Sequence, residues 1–150
     1  MFTGIYQHQI DPKGRTALPA AFRDVLNGKG LDKLIITTDL LEGCLQAYEP
    51  AKWDEFASKA ARLNNMKPTV RRLMRLMIAP AQACPFDKVG RILLPPPLRE
   101  YAGLGEEVVW AGQYDRIELW NPGAWKKTVD AARTPEGQAE VAEELAGLFA

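Results

Sequence analysis

The chain has 150 residues, enough for one ordinary domain or two small ones and too few for a large multidomain enzyme. Nineteen Lys and Arg balance nineteen Asp and Glu, and 47% hydrophobic with 25% charged residues excludes the disordered and fibrous classes. No apolar run approaches the roughly 18 residues of a membrane helix, and MFTGIYQHQI lacks both the basic flank and the apolar core of a secretory signal, so a cytoplasmic location is expected.

In chain order, GIYQHQI (4–10) has strand character and runs into the turn signal Asp-Pro-Lys-Gly. TALP follows, and Pro19 is placed to open a short helix. LIITT (34–38) and CLQAY (44–48) read as strands around Glu42-Gly43, and Pro50 opens a helix with Trp53, Phe56, Ala57, Ala60 and Leu63 on one face. In 67–80, Val70, Leu73, Met74 and Met77 form a helical stripe, with Arg71, Arg72 and Arg75 mostly off it. ILLP, Pro95, VVW (108–110), RIELW (116–120) and Pro122 then repeat the earlier pattern. Thr134-Pro135-Glu136 is a capped helix start, and Val141, Leu145, Leu148 and Phe149 form a stripe expected to bury against the body or a neighbouring subunit.

The pattern recurs because the chain holds one unit twice. Asp11, Gly14, Arg15, Leu18, Pro19 and Arg23 match Asp87, Gly90, Arg91, Leu94, Pro95 and Arg99 at a constant offset of 76. Pro50 and Trp53 match Pro122 and Trp125 at 72, which implies that the second copy lacks a few residues between its short helix and the next strand. The expected fold class is α+β, with a first unit at 4–66, a connecting helix at 67–80, a second unit at 81–133 and an acidic helix at 134–150. A unit of this size is marginal alone, so the copies are expected to share a core in one intertwined, pseudo-twofold domain.

The catalytic inventory is thin. His8 is the only histidine, no nucleotide, nucleophile or metalloprotease signature occurs, and Cys44 and Cys84 have no metal-ligand spacing. Neither an enzyme nor a metal or cofactor site is expected, and the cysteines are expected as buried thiols. What remains is the repeated Asp-x-x-Gly-Arg. Aspartate can cap the following amides, glycine supplies a positive φ, and arginine stands just past the turn. One reading makes each Asp–Arg pair a structural brace; the other offers the guanidinium to phosphate or guanine, with Lys13 and Lys88 adding charge. Both can hold at once. Net charge divides unevenly: after Arg133 there is no cation and four glutamates, leaving residues 1–133 with 19 positive and 15 negative charges.

MFTGIYQHQIDPKGRTALPAAFR followed by DKVGRILLPPPLREYAGL resembles the MraZ family of bacterial transcriptional regulators, over essentially the whole chain. The resemblance implies tandem AbrB-type swapped-hairpin units in one β-barrel-like domain with peripheral helices. It implies a ring-shaped homo-oligomer at the nucleoid that binds double-stranded DNA at short G-containing direct repeats. These lie upstream of its own division and cell-wall operon, which the family usually represses and in which a small-subunit rRNA methyltransferase gene is a neighbour. Carried over by residue, Arg15 is the first DNA contact with Lys13 as phosphate support, and Arg91 with Lys88 comes next. Asp11, Gly14, Asp87 and Gly90 shape the loops. The chain departs from the family pattern at Thr3 and Ala21, where basic residues are common, which reduces the charge on the amino-terminal face. The alternatives are an AbrB-like antitoxin and an oligomeric protein-interaction module.

Overall fold

Proline and glycine set most element boundaries. The computed structural model describes residues 1–150 and has mixed α+β architecture. The first copy comprises β1 (Ile5–Gln9), β2 (Arg15–Ala17), α1 (Ala20–Gly28), β3 (Lys33–Thr38), β4 (Leu45–Tyr48) and α2 (Pro50–Ala61). The second comprises β5 (Gln82–Pro85), β6 (Arg91–Leu93), α4 (Pro96–Tyr101), β7 (Glu107–Gly112), β8 (Ile117–Trp120) and α5 (Pro122–Ala132). Between them run α3 (Pro68–Leu73) and a π-turn (Met74–Ile78), and α6 (Pro135–Gly147) comes last. Pro50 and Pro122 occupy the first helical turn, where a missing N–H removes no hydrogen bond. Pro19 and Pro95 instead sit one residue earlier, at the cap positions of α1 and α4.

Each copy completes its sheet with a strand from the other. β1 pairs with β7, and β5 pairs with β3. Together with the β3–β4, β4–β8 and β7–β8 ladders this gives a six-stranded antiparallel sheet in the order β1-β7-β8-β4-β3-β5. β2 and β6 form a separate two-stranded ribbon. The ribbon joins the sheet through single bridges, Ile10 to Thr16 and Phe86 to Ile92.

The registers carry the duplication. Arg15 faces Leu93 and Ala17 faces Arg91, so the 76-residue offset maps the ribbon onto itself with Thr16 opposite Ile92 at its centre. Gln46 faces Glu118 at the corresponding centre of β4–β8, where the offset has become 72. Between these points His8 pairs with Val108 as Cys84 pairs with Leu34, which places β3 and β7 at an offset of 74. The shortening of the second copy therefore occurs in two steps. Two residues are lost between α4 and β7, as the sequence implied, and two more in the tighter β7–β8 hairpin.

One shared core fills the space between the ribbon, the sheet and the short helices. Ile92 and Thr16 on the back of the ribbon, Leu26 and Leu98 from α1 and α4, and Leu34, Ile36, Trp110, Ile117 and Leu119 from the sheet are all buried. Edge-to-face contacts of Phe22 with Phe2 and Tyr6 extend it toward the amino terminus. On α2, Trp53 and Ala60 are buried, whereas Leu63 lies past the helix end and is exposed. The end of the π-turn is tied to β3, because the Thr37 and Thr38 hydroxyls donate to the Met77 and Leu76 carbonyls.

The stripe of α6 does not bury against the body. Val141, Leu145, Leu148 and Phe149 are all more than half exposed, because α6 turns off α5 at the Thr134 cap and contacts no other element to a comparable extent. Ile92, wholly buried where the ribbon meets the sheet, tests the shared core. Ile92→Ala is expected to lower unfolding stability by about 2–5 kcal/mol in urea titration. An unchanged midpoint would show that the ribbon does not help to seal the core.

Candidate nucleic-acid interface

Each Asp-x-x-Gly-Arg segment is a tight turn built by its aspartate. Asp11 Oδ1 accepts from the backbone amides of Lys13 and Arg15, both at 2.9 Å, and Oδ2 accepts from Arg15 Nε at 2.7 Å. The second copy repeats this: Asp87 Oδ1 accepts from Val89 and Arg91 amides at 3.0 and 2.9 Å, and Oδ2 from Arg91 Nε at 2.9 Å. The hydrogen bond from the arginine amide, assisted by the guanidinium, holds each carboxyl below its ordinary value near 3.8. Gly14 and Gly90 adopt φ of 90° and 83°, conformations that side chains disfavour.

The brace uses only one guanidinium nitrogen. Neither terminal nitrogen of Arg15 or Arg91 has a hydrogen-bond partner in the protein, and both side chains are partly exposed. The ribbon gathers the two arginines. Thr16 and Ile92 point into the core, so the alternating Arg15, Ala17, Arg91 and Leu93 share the outer face. Arg15 and Arg91 are diagonal neighbours there, which corresponds to a spacing of roughly 7–8 Å. Lys13 and Lys88 are exposed at the tips of the two turns.

A second pair of arginines supports these loops from the opposite copy. The Arg99 guanidinium of α4 lies over Gly14, so close that a β-carbon there would sit 2.7 Å from Arg99 Cζ. Arg23 of α1 covers Gly90 in the same way, with Nη1 closer still to the corresponding point. Arg99 Nε also donates to the Leu94 carbonyl at 2.9 Å, and the loop backbones cross-link through Leu18 N to Gly90 O and Leu94 N to Gly14 O. In the sequence Arg23 and Arg99 are repeated residues to which no role attaches. Their recurrence at one distance from each glycine is the signal that could have found them.

The surroundings of the loops differ. Beside the first, Ile10 N bonds the Glu106 carbonyl and Gln9 pairs with Glu107, so two carboxylates flank it. Beside the second, Phe86 N bonds the Asp32 carbonyl and Pro85 pairs with Lys33. The second loop thus faces the less negative neighbourhood.

Other chemistry-bearing groups are accounted for by the fold. His8 Nδ1 bonds the Ala17 carbonyl beside the ribbon. Asp39, Cys44 and Glu118 place donor atoms within 4.8 Å of one another. Gln46 Nε2 donates to Asp39 at 2.5 Å and lies 3.3 Å from Glu118, and Arg116 Nε holds Gln46 Oε1 at 2.9 Å. The cluster is therefore a hydrogen-bond network around Gln46, with an amide donor where a cation would have to sit. Burial, with Glu118 and Asp39 adding repulsion, raises the Cys44 thiol well above its ordinary range. Burial alone pushes Cys84 up to about 11. Both cysteines are free and buried. No helix is long and apolar enough to cross a membrane.

Two aspartate-braced arginines thus share one ribbon of a duplicated, strand-exchanged scaffold. The family described as "MraZ protein, putative antitoxin-like" matches residues 1–76 and again 77–146. A relative in Thioalkalivibrio sulfidiphilus, named Transcriptional regulator MraZ, is 43% identical over 130 residues, covering 87% of this chain and 86% of the relative. Those of Shewanella pealeana and Yersinia pestis, of the same name, are 38% identical over 89% of this chain and 88% of the relative, and 36% identical over 99% of both. The chain belongs to the MraZ family, a family of transcriptional regulators and not of enzymes.

The loops generate two predictions. Gly90→Ala meets both the positive φ and the Arg23 guanidinium, so its thermal midpoint is expected to fall more than that of Gly105→Ala, where a β-carbon meets open space. Equal midpoints would refute the double constraint. Because Asp11 and Asp87 have depressed pKa values in the folded state, their stabilisation is complete above the ordinary carboxylate value and is lost as pH falls through the depressed one. Asp11→Asn and Asp87→Asn are therefore expected to melt below the parent at pH 7, with the gap closing as the pH is lowered below about 4. A gap independent of pH in thermal melts would argue against the brace.

Proposed function

We propose that the protein regulates transcription by binding double-stranded DNA through the β2–β6 ribbon. The observation that carries the reading is the pair of arginines on its outer face, each fixed through Nε and each with unpaired terminal nitrogens. A two-stranded ribbon fits the major groove, and a guanidinium fork matches guanine O6 and N7. The 7–8 Å spacing spans roughly two base-pair steps at ~3.4 Å each. Lys13 and Lys88 supply phosphate contacts, while Asp11, Gly14, Asp87 and Gly90 hold the loops in shape. Closure of ribbon and sheet through their bridging residues into a barrel-like body, with 4–66 and 81–133 as its halves, gives the loops a rigid base.

A chain with no net charge has little general attraction for phosphate, and Glu106 and Glu107 oppose it near the first loop. Useful affinity then comes from repetition. In a ring homo-oligomer, several ribbons engage direct repeats together, each added contact benefiting from high effective concentration. The reading places the protein at the nucleoid in the cytoplasm, acting as repressor upstream of its own division and cell-wall operon. Its link to the rRNA methyltransferase is through gene order.

Fluorescence anisotropy with duplexes from upstream of its own gene, against scrambled duplexes of equal length, tests this. Arg15→Ala and Arg91→Ala are each expected to weaken specific binding about 10-fold or more, in line with the roughly 1–3 kcal/mol of a bidentate base contact. Correctly spaced repeats are expected to bind far more tightly than one. Retention of sequence preference in the folded double variant would remove the ribbon from the interface and favour an antitoxin-like or other protein-binding role.

A further inference from the structure

Between Glu55 and Asp87 the chain has no acidic residue and six basic ones, Lys59, Arg62, Lys67, Arg71, Arg72 and Arg75, all exposed. Only Lys59 forms an ion pair, with Glu55 at 3.7 Å. The end of α2 and the start of the connecting helix enclose a groove of about 350 Å³, floored by Ala60, Leu63, Val70 and Met74 and edged by Arg71 and Arg75. Nothing in the chain fills it.

α6 has the complementary features. Its four glutamates form no ion pair, and no cation lies beyond Arg133. Val141, Leu145 and Leu148 recur at i, i+4 and i+7, and at 100° per residue Glu140 and Glu144 border this stripe. On the connecting helix, Arg71 and Arg75 border Val70 and Met74 at the same i, i+4 spacing. An acidic pair beside an apolar ridge thus matches a basic pair beside an apolar groove. Within a chain the two do not meet, since α6 packs on α5.

We propose that α6 of one copy seats in the α2–α3 groove of the next, with Glu140 and Glu144 against Arg71 and Arg75 and the Val141–Leu145–Leu148 ridge against Val70 and Met74. Ridge and groove are different surfaces, so the contact is head-to-tail, and repetition yields a closed ring or a filament. The proposal deepens the oligomeric part of the functional reading by naming its interface. The basic segment is thereby a protein contact and leaves DNA to the ribbon.

Native mass spectrometry and sedimentation of the full chain test it, in multiples of the 16.7 kDa protomer. Arg71→Glu/Arg75→Glu and Glu140→Arg/Glu144→Arg are each expected to sediment as protomers, and a mixture of the two is expected to reassemble, because each supplies the complement of the other's reversed surface. Leu145→Asp/Leu148→Asp, at positions exposed in the protomer, loses the ridge but keeps the groove. It is therefore expected to sediment as a protomer alone and to stop at a dimer when mixed with Arg71→Glu/Arg75→Glu, whose ridge is intact. A monomeric parent would overturn both the oligomer and its interface. A parent assembly whose mass none of the variants changes would overturn the interface alone. Arg71→Glu/Arg75→Glu that weakens DNA binding while leaving the assembly intact would reassign the segment to nucleic acid.

Discussion

Neither copy of the repeat completes its own sheet. β1 lies on β7 and β5 on β3, so the exposed edge of each half is covered by a strand from the other. The rest of the molecule depends on that exchange. It forces one core on two units too small to sustain two, and it brings β2 and β6 side by side. The loops flanking the ribbon then come from opposite copies and enter it at opposite ends, with their arginines on one face. Without the exchange, Arg15 and Arg91 would belong to two separate hairpins.

The cross-brace arises from the same symmetry. A positive φ makes a glycine turn, but the turn needs a lid, and each lid comes from the other copy: Arg99 over Gly14, Arg23 over Gly90. The aspartate takes Nε of its own arginine and leaves the outer nitrogens unbonded. Bracing and recognition are therefore not competing roles for Arg15. Restricting the side chain lowers the entropy lost when its fork meets a ligand. Thr16 and Ile92, both buried, anchor the ribbon so that the arginines are aimed by the core and not by a flexible loop.

The repeat, the two turns and most strands were legible because Asp, Gly, Pro and alternating apolar residues act locally. An intertwined domain follows from the unit size and from the resemblance to swapped-hairpin units, but which strands exchange does not, since β1 has the same pattern whether it pairs within its copy or across to the other. The division of the length difference between two loops was equally hidden, because only ladder registers distinguish 74 from 76 and 72. The spacing of the α6 stripe predicts an amphipathic helix, but periodicity does not say what covers a face, and in the protomer nothing does. Arg23 and Arg99 were visible as repeated letters, yet their use depends on contacts between copies 76 residues apart.

Pairing β1 with β7 also fixes a schedule for biosynthesis. Gln7 and Glu107, joined through their side chains, lie 100 positions apart. At about 5–20 residues per second, the first strand leaves the ribosome roughly 5–20 s before its partner exists. Until β5 emerges the amino-terminal half holds an unmatched β3 edge, and until β7 emerges an unpaired β1, while a second nascent half from the same message offers the repeat-related counterparts of both missing strands. Two first halves on neighbouring ribosomes can thus exchange strands with each other before either second half appears. Intramolecular closure has to win on effective concentration, which makes the length and stiffness of the 67–80 connector a determinant of folding yield as well as of shape.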